Sequence, residues 1–166
     1  MTRTRTRIAR LTSAVAAVIA ATTSLAPAAG ASVTKTDRGC TVTVRFIATA
    51  GDTVQGRASA QCRAVPGSLA QSVDHIVLKV MVRNKPTQEW RVGAKNTAHG
   101  STADVAMPCV RGSQYRIRAA AYGRVTLLVK GPYGNYVPVT RVVSQPSVVA
   151  VTAGRWITCG VPIAGD

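Results

Sequence analysis

Apolar and polar residues alternate with a period of two along most of the chain after residue 39, and no segment there has the period of an amphipathic helix. The clearest case is the run DHIVLKVMVRN at 74–84. Its Ile76, Leu78 and Val80 side chains point to one face of a strand, and the residues between them point to the other. This pattern predicts a chain built almost entirely of β-strands.

Turn-forming residues separate the runs, for example at Gly51-Asp52 and in the GPYGN segment at 131–135. Longer polar loops are expected at 64–72 and 95–102. Pro138 lies inside one run and indicates an edge strand or a bulge there. About eight or nine short strands at near-regular spacing predict an all-β fold, an immunoglobulin-like antiparallel sandwich, with a closed barrel as the alternative.

Some strand bounds affect later arguments. The segment QEWRV at 88–92 is expected to return antiparallel to the run at 74–84. The segments at 114–122 and 124–130 are expected to be two separate strands. The polar segment Ser32–Gly39 contains no cysteine to tie it to the rest of the chain, and its donation to a partner's sheet is one way in which the protein could bind.

The first 31 residues have the three parts of a secretory signal. A basic start with four arginines precedes an Ala- and Val-rich run, and Ala29-Gly30-Ala31 matches an A-x-A cleavage site. We expect residues 1–31 to be removed, although cleavage after Ala28 is an alternative, leaving one domain at 32–166 that is secreted and extracellular. A membrane anchor is less favoured because Thr and Ser interrupt the run and Pro27 closes it.

All four cysteines lie in the expected mature part, which predicts two disulfide bonds in an exported chain. Three connectivities are possible. We favour Cys40–Cys62, because this pair brackets a predicted hairpin, together with Cys109–Cys159, which joins later strands. A zinc site would require close pairs such as C-x-x-C, which are absent, so no metal or other cofactor is expected.

The chain resembles a group of small secreted, two-disulfide β-sandwich proteins of actinobacteria. The likeness lies in the opening between Cys40 and Cys62, the I-x-L-x-V segment at 76–80 and the segment MPCVRGSQYR at 107–116. It continues through GPYGNYVP to the closing WITC. Most such proteins have no assigned activity, and some similar ones are non-catalytic adaptor subunits of secreted toxin complexes. The resemblance therefore implies a sandwich fold, an extracellular location and a role in protein binding.

Charge is the most informative functional feature. The chain has 21 Lys and Arg residues against 6 acidic ones, a formal net charge of +15. Removal of residues 1–31 takes away four arginines and no acid, which leaves 17 basic residues against 6 and a net charge of +11. Such a charge attracts polyanions. The candidate binding residues are basic positions on the polar faces of strands and two loop tyrosines: Arg45, Arg57, Lys79, Arg83, Arg116, Arg118, Tyr133 and Tyr136.

Catalytic signals are weak. No G-x-S-x-G, H-E-x-x-H or phosphate-loop pattern occurs, and no carboxylate pair stands out. His75 and His99, with Lys79 or Lys95, are the only candidates for a metal-free nuclease. Trp90 and Trp156 are expected in the core or at its edge. We therefore assign no catalytic residue.

The sequence predicts a non-enzymatic binding or adaptor domain that recognises an extracellular protein or an anionic polymer. No small-molecule substrate is expected, and no stable membrane insertion once the signal is removed. One alternative is a cationic antimicrobial or toxin effector acting on anionic envelopes, because the same charge would bind them. A small secreted nuclease is a further alternative.

Overall fold

The fold is a two-layer antiparallel β-sandwich, seen in a computed structural model that describes residues 32–47 and 52–161. The all-β, immunoglobulin-like sandwich predicted from the sequence is confirmed, with ten strands in these ranges where eight or nine were expected. The signal peptide predicted at 1–31 lies outside the described residues. The strands are β1 Val33–Asp37, β2 Cys40–Ile47, β3 Thr53–Cys62, β4 Ala70–Arg83, β5 Arg91–His99, β6 Thr102–Pro108, β7 Gln114–Lys130, β8 Tyr136–Val142, β9 Val148–Val151 and β10 Arg155–Trp156.

Two sheets make up the sandwich. The small sheet has the order β1-β2-β3-β6, and the large sheet contains β10-β7-β4-β5 with β8 and β9 also paired to β7. Strand β7 has 17 residues and is the centre of the large sheet. It pairs with β4 along one edge, and with β10, β9 and β8 in succession along the other.

The core lies between the inner faces of the sheets, where the period-two alternation places the apolar residues. Gly56 on β3 allows the two sheets to approach closely. A Cβ atom at this position would lie 2.8 Å from the Cδ1 and Cγ2 atoms of Ile117 on β7. The largest fully buried apolar side chains are Tyr115, Ile76, Leu78, Ile117, Val42, Val44, Val54 and Val80.

Both disulfide bonds form with the favoured connectivity. Cys40 and Cys62 are directly opposed on β2 and β3, so their bond closes one end of this hairpin. The Cys109–Cys159 bond joins the segment after β6 in the small sheet to the segment after β10 in the large sheet. One disulfide thus secures a hairpin, and the other connects the two layers near the C-terminal end of the described chain.

The loop predicted at 95–102 is wrong, because β5 extends to His99. The return strand predicted at 88–92 is correspondingly shifted, since β5 begins at Arg91. Strand β5 lies at the edge of its sheet, and only Ala94 and Ala98 of its residues are partly buried. Because small residues occupy the inward positions of β5, the apolar alternation of this strand is weak in the sequence.

The two strands predicted at 114–122 and 124–130 form the single strand β7. Gly123 continues this strand rather than ending it. Its amide donates a hydrogen bond to Ser147 Oγ at 3.1 Å, and a Cβ at this position would lie 2.9 Å from the same oxygen. A glycine is therefore required here by the close approach of a neighbouring segment, not by a turn.

The segment Ser32–Gly39, considered for donation to a partner, is paired within this chain. Residues Val33–Asp37 form β1, which pairs with β2 along its whole length. Hydrogen bonds between threonine hydroxyls, Thr34 with Thr43 and Thr36 with Thr41, reinforce this pairing at 2.9 Å each. The polar residues of this segment belong to a strand at the exposed edge of the small sheet, so their polarity does not indicate donation to another chain.

Replacement of Gly56 by alanine tests the close contact between the sheets. The added methyl group would meet Ile117, and we expect a loss of roughly 1–3 kcal/mol in the free energy of unfolding, as for other overpacked cores. Urea denaturation measures this change. The control is Ser59→Ala, an exposed position on the same strand, which should change stability by less than about 0.5 kcal/mol. An unchanged stability of Gly56→Ala would contradict the inter-sheet contact.

Candidate anion-binding face

The outer surface of the large sheet carries a row of three opposed cations. Lys79 on β4 is directly opposite Arg118 on β7 and also directly opposite Lys95 on β5. Opposed residues on neighbouring strands have Cβ atoms about 4.5–5.5 Å apart, and like charges in such positions destabilise a sheet. We call these three residues the cationic row. Residues that lower the stability of their own sheet in this way are expected at functional sites.

Two further arginines lie beside the cationic row, toward the same end of β4 and β7. The guanidinium groups of Arg83 and Arg116 each lie 4.4 Å from the ring centroid of Trp90. Arg83 is held in this position by hydrogen bonds of 2.7 Å from its Nε to Gln114 Oε1 and from its Nη1 to the carbonyl oxygen of Pro86. Trp90 thus provides an aromatic surface that organises two cations. The cationic row, Arg83 and Arg116 together form what we call the basic face.

Arg116 is a partly buried cation of the basic face. Its Nε is buried and has no hydrogen-bond partner. Burial lowers the pKa of Arg116 below its usual value, and the positive charges of Arg118 and Arg83 lower it further. An anion placed against the guanidinium group would supply a countercharge.

The ion pairs formed by described residues lie away from the basic face. Asp104 binds Arg57 on the small sheet, with 2.7 Å between Oδ1 and Nε, and this partner holds the pKa of Asp104 below its usual value. Asp74 binds Arg124 and His75. In residues 32–47 and 52–161, no carboxylate forms an ion pair with a member of the cationic row. The positive charge of this row is therefore not neutralised within the described chain.

The structure divides the predicted binding residues among three places. Lys79, Arg83, Arg116 and Arg118 come together on the basic face. Arg45 and Arg57 are opposed on the small sheet, where Arg57 is engaged by Asp104. Tyr133 and Tyr136 lie at and beside the turn between β7 and β8.

Sequence reasoning assigned neither Lys95 nor Trp90 to this surface. Lys95 lies in a segment predicted as a loop. Trp90 is predicted in the core or at its edge, but the structure places it against two arginines on the outer face of the large sheet. Trp156 is 54% exposed and is not a core residue. The proximity of Trp90 to Arg91 in sequence gives no indication of Arg83 and Arg116, which approach it only through strand pairing.

A second polar cluster surrounds His75, near one end of β4. His75 Nδ1 and Asp74 Oδ2 are 2.8 Å apart, and the His75 ring stacks on Tyr122 with 4.3 Å between centroids. His99 lies directly opposite His75 on β5, with 5.8 Å between ring centroids. Arg124 holds the buried Asp74 carboxylate through its Nε and Nη2 atoms. This arrangement orients His75 on several sides.

The two histidines of the nuclease hypothesis are therefore close together, but its lysines are not. Lys79 and Lys95 lie four residues along their strands from the histidines. At a rise of about 3.3 Å per residue, this separation is roughly 13 Å. One phosphate group could not contact both pairs without large side-chain movement, so neither lysine supplies the cation that this chemistry needs beside its acid and base. The cation beside His75 is Arg124, and its guanidinium group is already engaged by Asp74.

No protein-family model, curated protein or solved structure matches this chain. Among the described residues, no cluster of three or more His, Cys, Asp or Glu side chains is suited to holding a metal ion. The same residues include no helix long and apolar enough to cross a membrane. The fold and the site define a disulfide-bonded antiparallel β-sandwich with an uncompensated basic face.

The Asp74 cluster makes a pH-dependent contribution to stability. Hydrogen bonds from His75 and Arg124 lower the pKa of Asp74 from its usual 3.8. A lowered pKa in the folded state gives stability that is complete above the unfolded-state value and is lost as the pH falls through the folded-state value. We expect Asp74→Asn to lower the urea midpoint at neutral pH, and its difference from wild type to shrink below pH 3.8.

The matched control is Asp37→Asn. Asp37 is exposed, and its Oδ2 atom lies 3.9 Å from Arg38 Nε, so loss of this carboxylate should have little effect on stability at either pH. Urea unfolding of wild type and both variants, at neutral pH and at about pH 2.5, provides the comparison. A difference between wild type and Asp74→Asn that stays constant across this range would contradict the role given to the carboxylate.

Proposed function

We propose that this protein is an extracellular, non-enzymatic binding domain whose basic face holds an anionic polymer. The observation that carries the proposal is the cationic row, in which Arg118, Lys79 and Lys95 are directly opposed on three neighbouring strands. Within the sheet this arrangement is repulsive, and it becomes favourable when anionic groups lie across the strands. Arg116, whose guanidinium group stacks on Trp90, extends the same surface.

The shape of the surface favours an extended ligand over a small molecule. Neighbouring strands are about 4.8 Å apart, so the cationic row spans roughly 10 Å of an open sheet surface. Small-molecule sites are usually concave and enclose most of the ligand. A polymer with repeating phosphate, sulfate or carboxylate groups would contact several cations of such a surface at once.

The extracellular location is part of the proposal. The basic start, apolar run and A-x-A site at the N-terminus support export. The bonds Cys40–Cys62 and Cys109–Cys159 support an oxidising compartment, because disulfides are rare in the cytosol. Anionic polymers of cell walls and extracellular matrices would be accessible to a protein in this location.

Neutralisation of the cationic row tests the proposed function. We expect Lys79→Gln/Lys95→Gln/Arg118→Gln to bind long-chain polyphosphate at least about tenfold more weakly than wild type at physiological salt. The dependence of log K on log salt should become shallower by about 2, because fewer counterions are released. Titration with polyphosphate at several salt concentrations, followed by Trp90 fluorescence in a Trp156→Phe background, measures both quantities.

The control variant Lys35→Gln/Arg63→Gln/Arg111→Gln has the same net charge, and its three substitutions are at exposed positions outside the basic face. It should retain most of the affinity, since only long-range attraction is reduced. Equal losses in the two variants would show that net charge, not the basic face, determines binding. Dextran sulfate and polyglutamate, tested in parallel, identify which anionic group is preferred. An acidic protein is titrated in the same assay, and tighter binding to it than to all three polymers would support the adaptor role instead.

A nuclease is the second candidate, because His75 and His99 are directly opposed and Asp74 orients His75. On this hypothesis, pure wild-type protein should cleave RNA in the presence of a metal chelator, and His75→Ala or His99→Ala should abolish cleavage. The control is Lys85→Ala, an exposed position in the turn after β4. Absence of cleavage by the pure, oxidised wild type would exclude this activity.

A further inference from the structure

The end of the large sheet projects as a two-stranded ribbon. Pairing of β4 with β7 ends at Ala70 and Thr126, whereas β7 and β8 remain paired as far as Lys130 and Tyr136. We call residues 127–139 the arm. The Gly131 amide donates a 2.7 Å hydrogen bond to the carbonyl oxygen of Asn135, which closes its turn. The arm is thus an ordered hairpin that continues beyond the strands beside it.

The arm concentrates exposed apolar side chains. It contains six of the twelve large hydrophobic residues that are exposed in residues 32–47 and 52–161, although it is only thirteen residues long. At and beside its turn, Tyr133 is 94% exposed and Tyr136 is 66% exposed. The others are Leu127, Leu128, Val129 and Val137. An exposed apolar concentration of this kind indicates a surface that contacts another apolar phase or molecule.

Both faces of the arm are apolar. The opposed pairs Leu127–Val139 and Val129–Val137 lie on the face that continues from the core, and Leu128 opposite Pro138 lies on the other face. A strand that packs against one protein surface needs only one apolar face. An apolar ribbon exposed on both sides fits an environment that surrounds it, such as the outer part of a lipid bilayer.

The charges around the arm favour an anionic surface. No acidic residue occurs in the sequence from Val105 to Gly165. Lys130 lies at the turn, and Arg141 lies where the arm leaves the sheet, whereas the charge of the nearby Arg124 is already matched by Asp74. Two copies of the arm in contact would bring like charges together, whereas anionic headgroups would neutralise them. The arrangement of apolar side chains, tyrosines and basic residues is the one found in interfacial membrane-binding segments.

We propose that the arm docks this protein reversibly onto anionic lipid surfaces, with Tyr133, Tyr136 and Leu128 entering the interface. The arm extends at most about 17 Å from Leu127 to Pro132 at roughly 3.3 Å per residue, less than the hydrocarbon core of about 30 Å. The backbone of Leu127–Lys130 has no strand partner on the side away from β8 among the described residues. Its peptide groups must stay hydrated, so docking is shallow and is not a membrane span.

The test is flotation with lipid vesicles of phosphatidylcholine containing phosphatidylglycerol, compared with pure phosphatidylcholine vesicles. We expect wild type to float with the anionic vesicles and much less with the neutral ones. The variant Leu128→Ser/Tyr133→Ser/Tyr136→Ser should bind anionic vesicles at least about tenfold more weakly, because it loses the apolar contacts. All three residues are exposed, and an unchanged circular dichroism spectrum and melting temperature would establish that the variant is folded.

The control variant is Val92→Ser/Val110→Ser/Val161→Ser, which removes three exposed apolar residues outside the arm and should float like wild type. Flotation of the arm variant equal to wild type would overturn the proposal, and so would equal binding of wild type to neutral and anionic vesicles. A wild-type dimer that the arm variant converts to monomer, with no binding to vesicles, would assign the arm to a second copy instead.

Lipid docking is separable from polymer binding by the basic face. The arm variant should retain wild-type affinity for polyphosphate. High salt screens charges and leaves apolar contacts, so the variant of the cationic row should float like wild type at high salt. Loss of polyphosphate binding in the arm variant would overturn the separate role of the arm. A failure of wild type to bind polyphosphate, with arm-dependent flotation intact, would contradict the proposed function alone.

Discussion

Backbone pairing along β7 is the interaction on which the rest of the structure depends. A single 17-residue strand pairs with β4 on one edge and with three strands in succession on the other. Its inward residues, among them Tyr115 and Ile117, lie at the centre of the core. Its outward residues Arg116 and Arg118 belong to the basic face, and its last four residues form one strand of the arm. Core, basic face and arm therefore keep fixed positions relative to one another.

The charge of Arg57 on the small sheet is compensated, and the charge of Arg116 on the large sheet is not. On the small sheet, Arg57 is matched by Asp104, and both of their pKa values move in the direction that strengthens an ion pair. On the large sheet, Arg116 has no such partner, and its neighbours lower its pKa instead. A protein that needed charge only for solubility would gain nothing from crowding cations on one face. This difference supports a function for the large sheet.

Much of the fold could be predicted from the sequence, because alternation is strong where both sheets bury large residues, as at Ile76 and Leu78 on β4. The alternation does not reveal the edge strands of the two sheets. Strand β5 places alanines inward and β1 is polar, so neither has a clear pattern. The candidate site was only half predictable. Lys79 and Arg118 could be placed on outward positions, but the pairing that sets them opposite each other and opposite Lys95 is a property of register between distant segments.

The order in which β7 acquires its partners has a consequence for the route of this chain out of the cell. Strand β4 precedes β7 by about thirty residues, whereas β10 and Cys159 come near the end of the described chain. The large sheet cannot be completed until almost the whole polypeptide is available, and folds dominated by such distant pairings form slowly. For a chain exported as proposed, this delay is useful. A polypeptide that does not fold early remains unfolded and can pass through a secretion channel. The Cys109–Cys159 bond, which joins the two layers, would then form outside the cytoplasm.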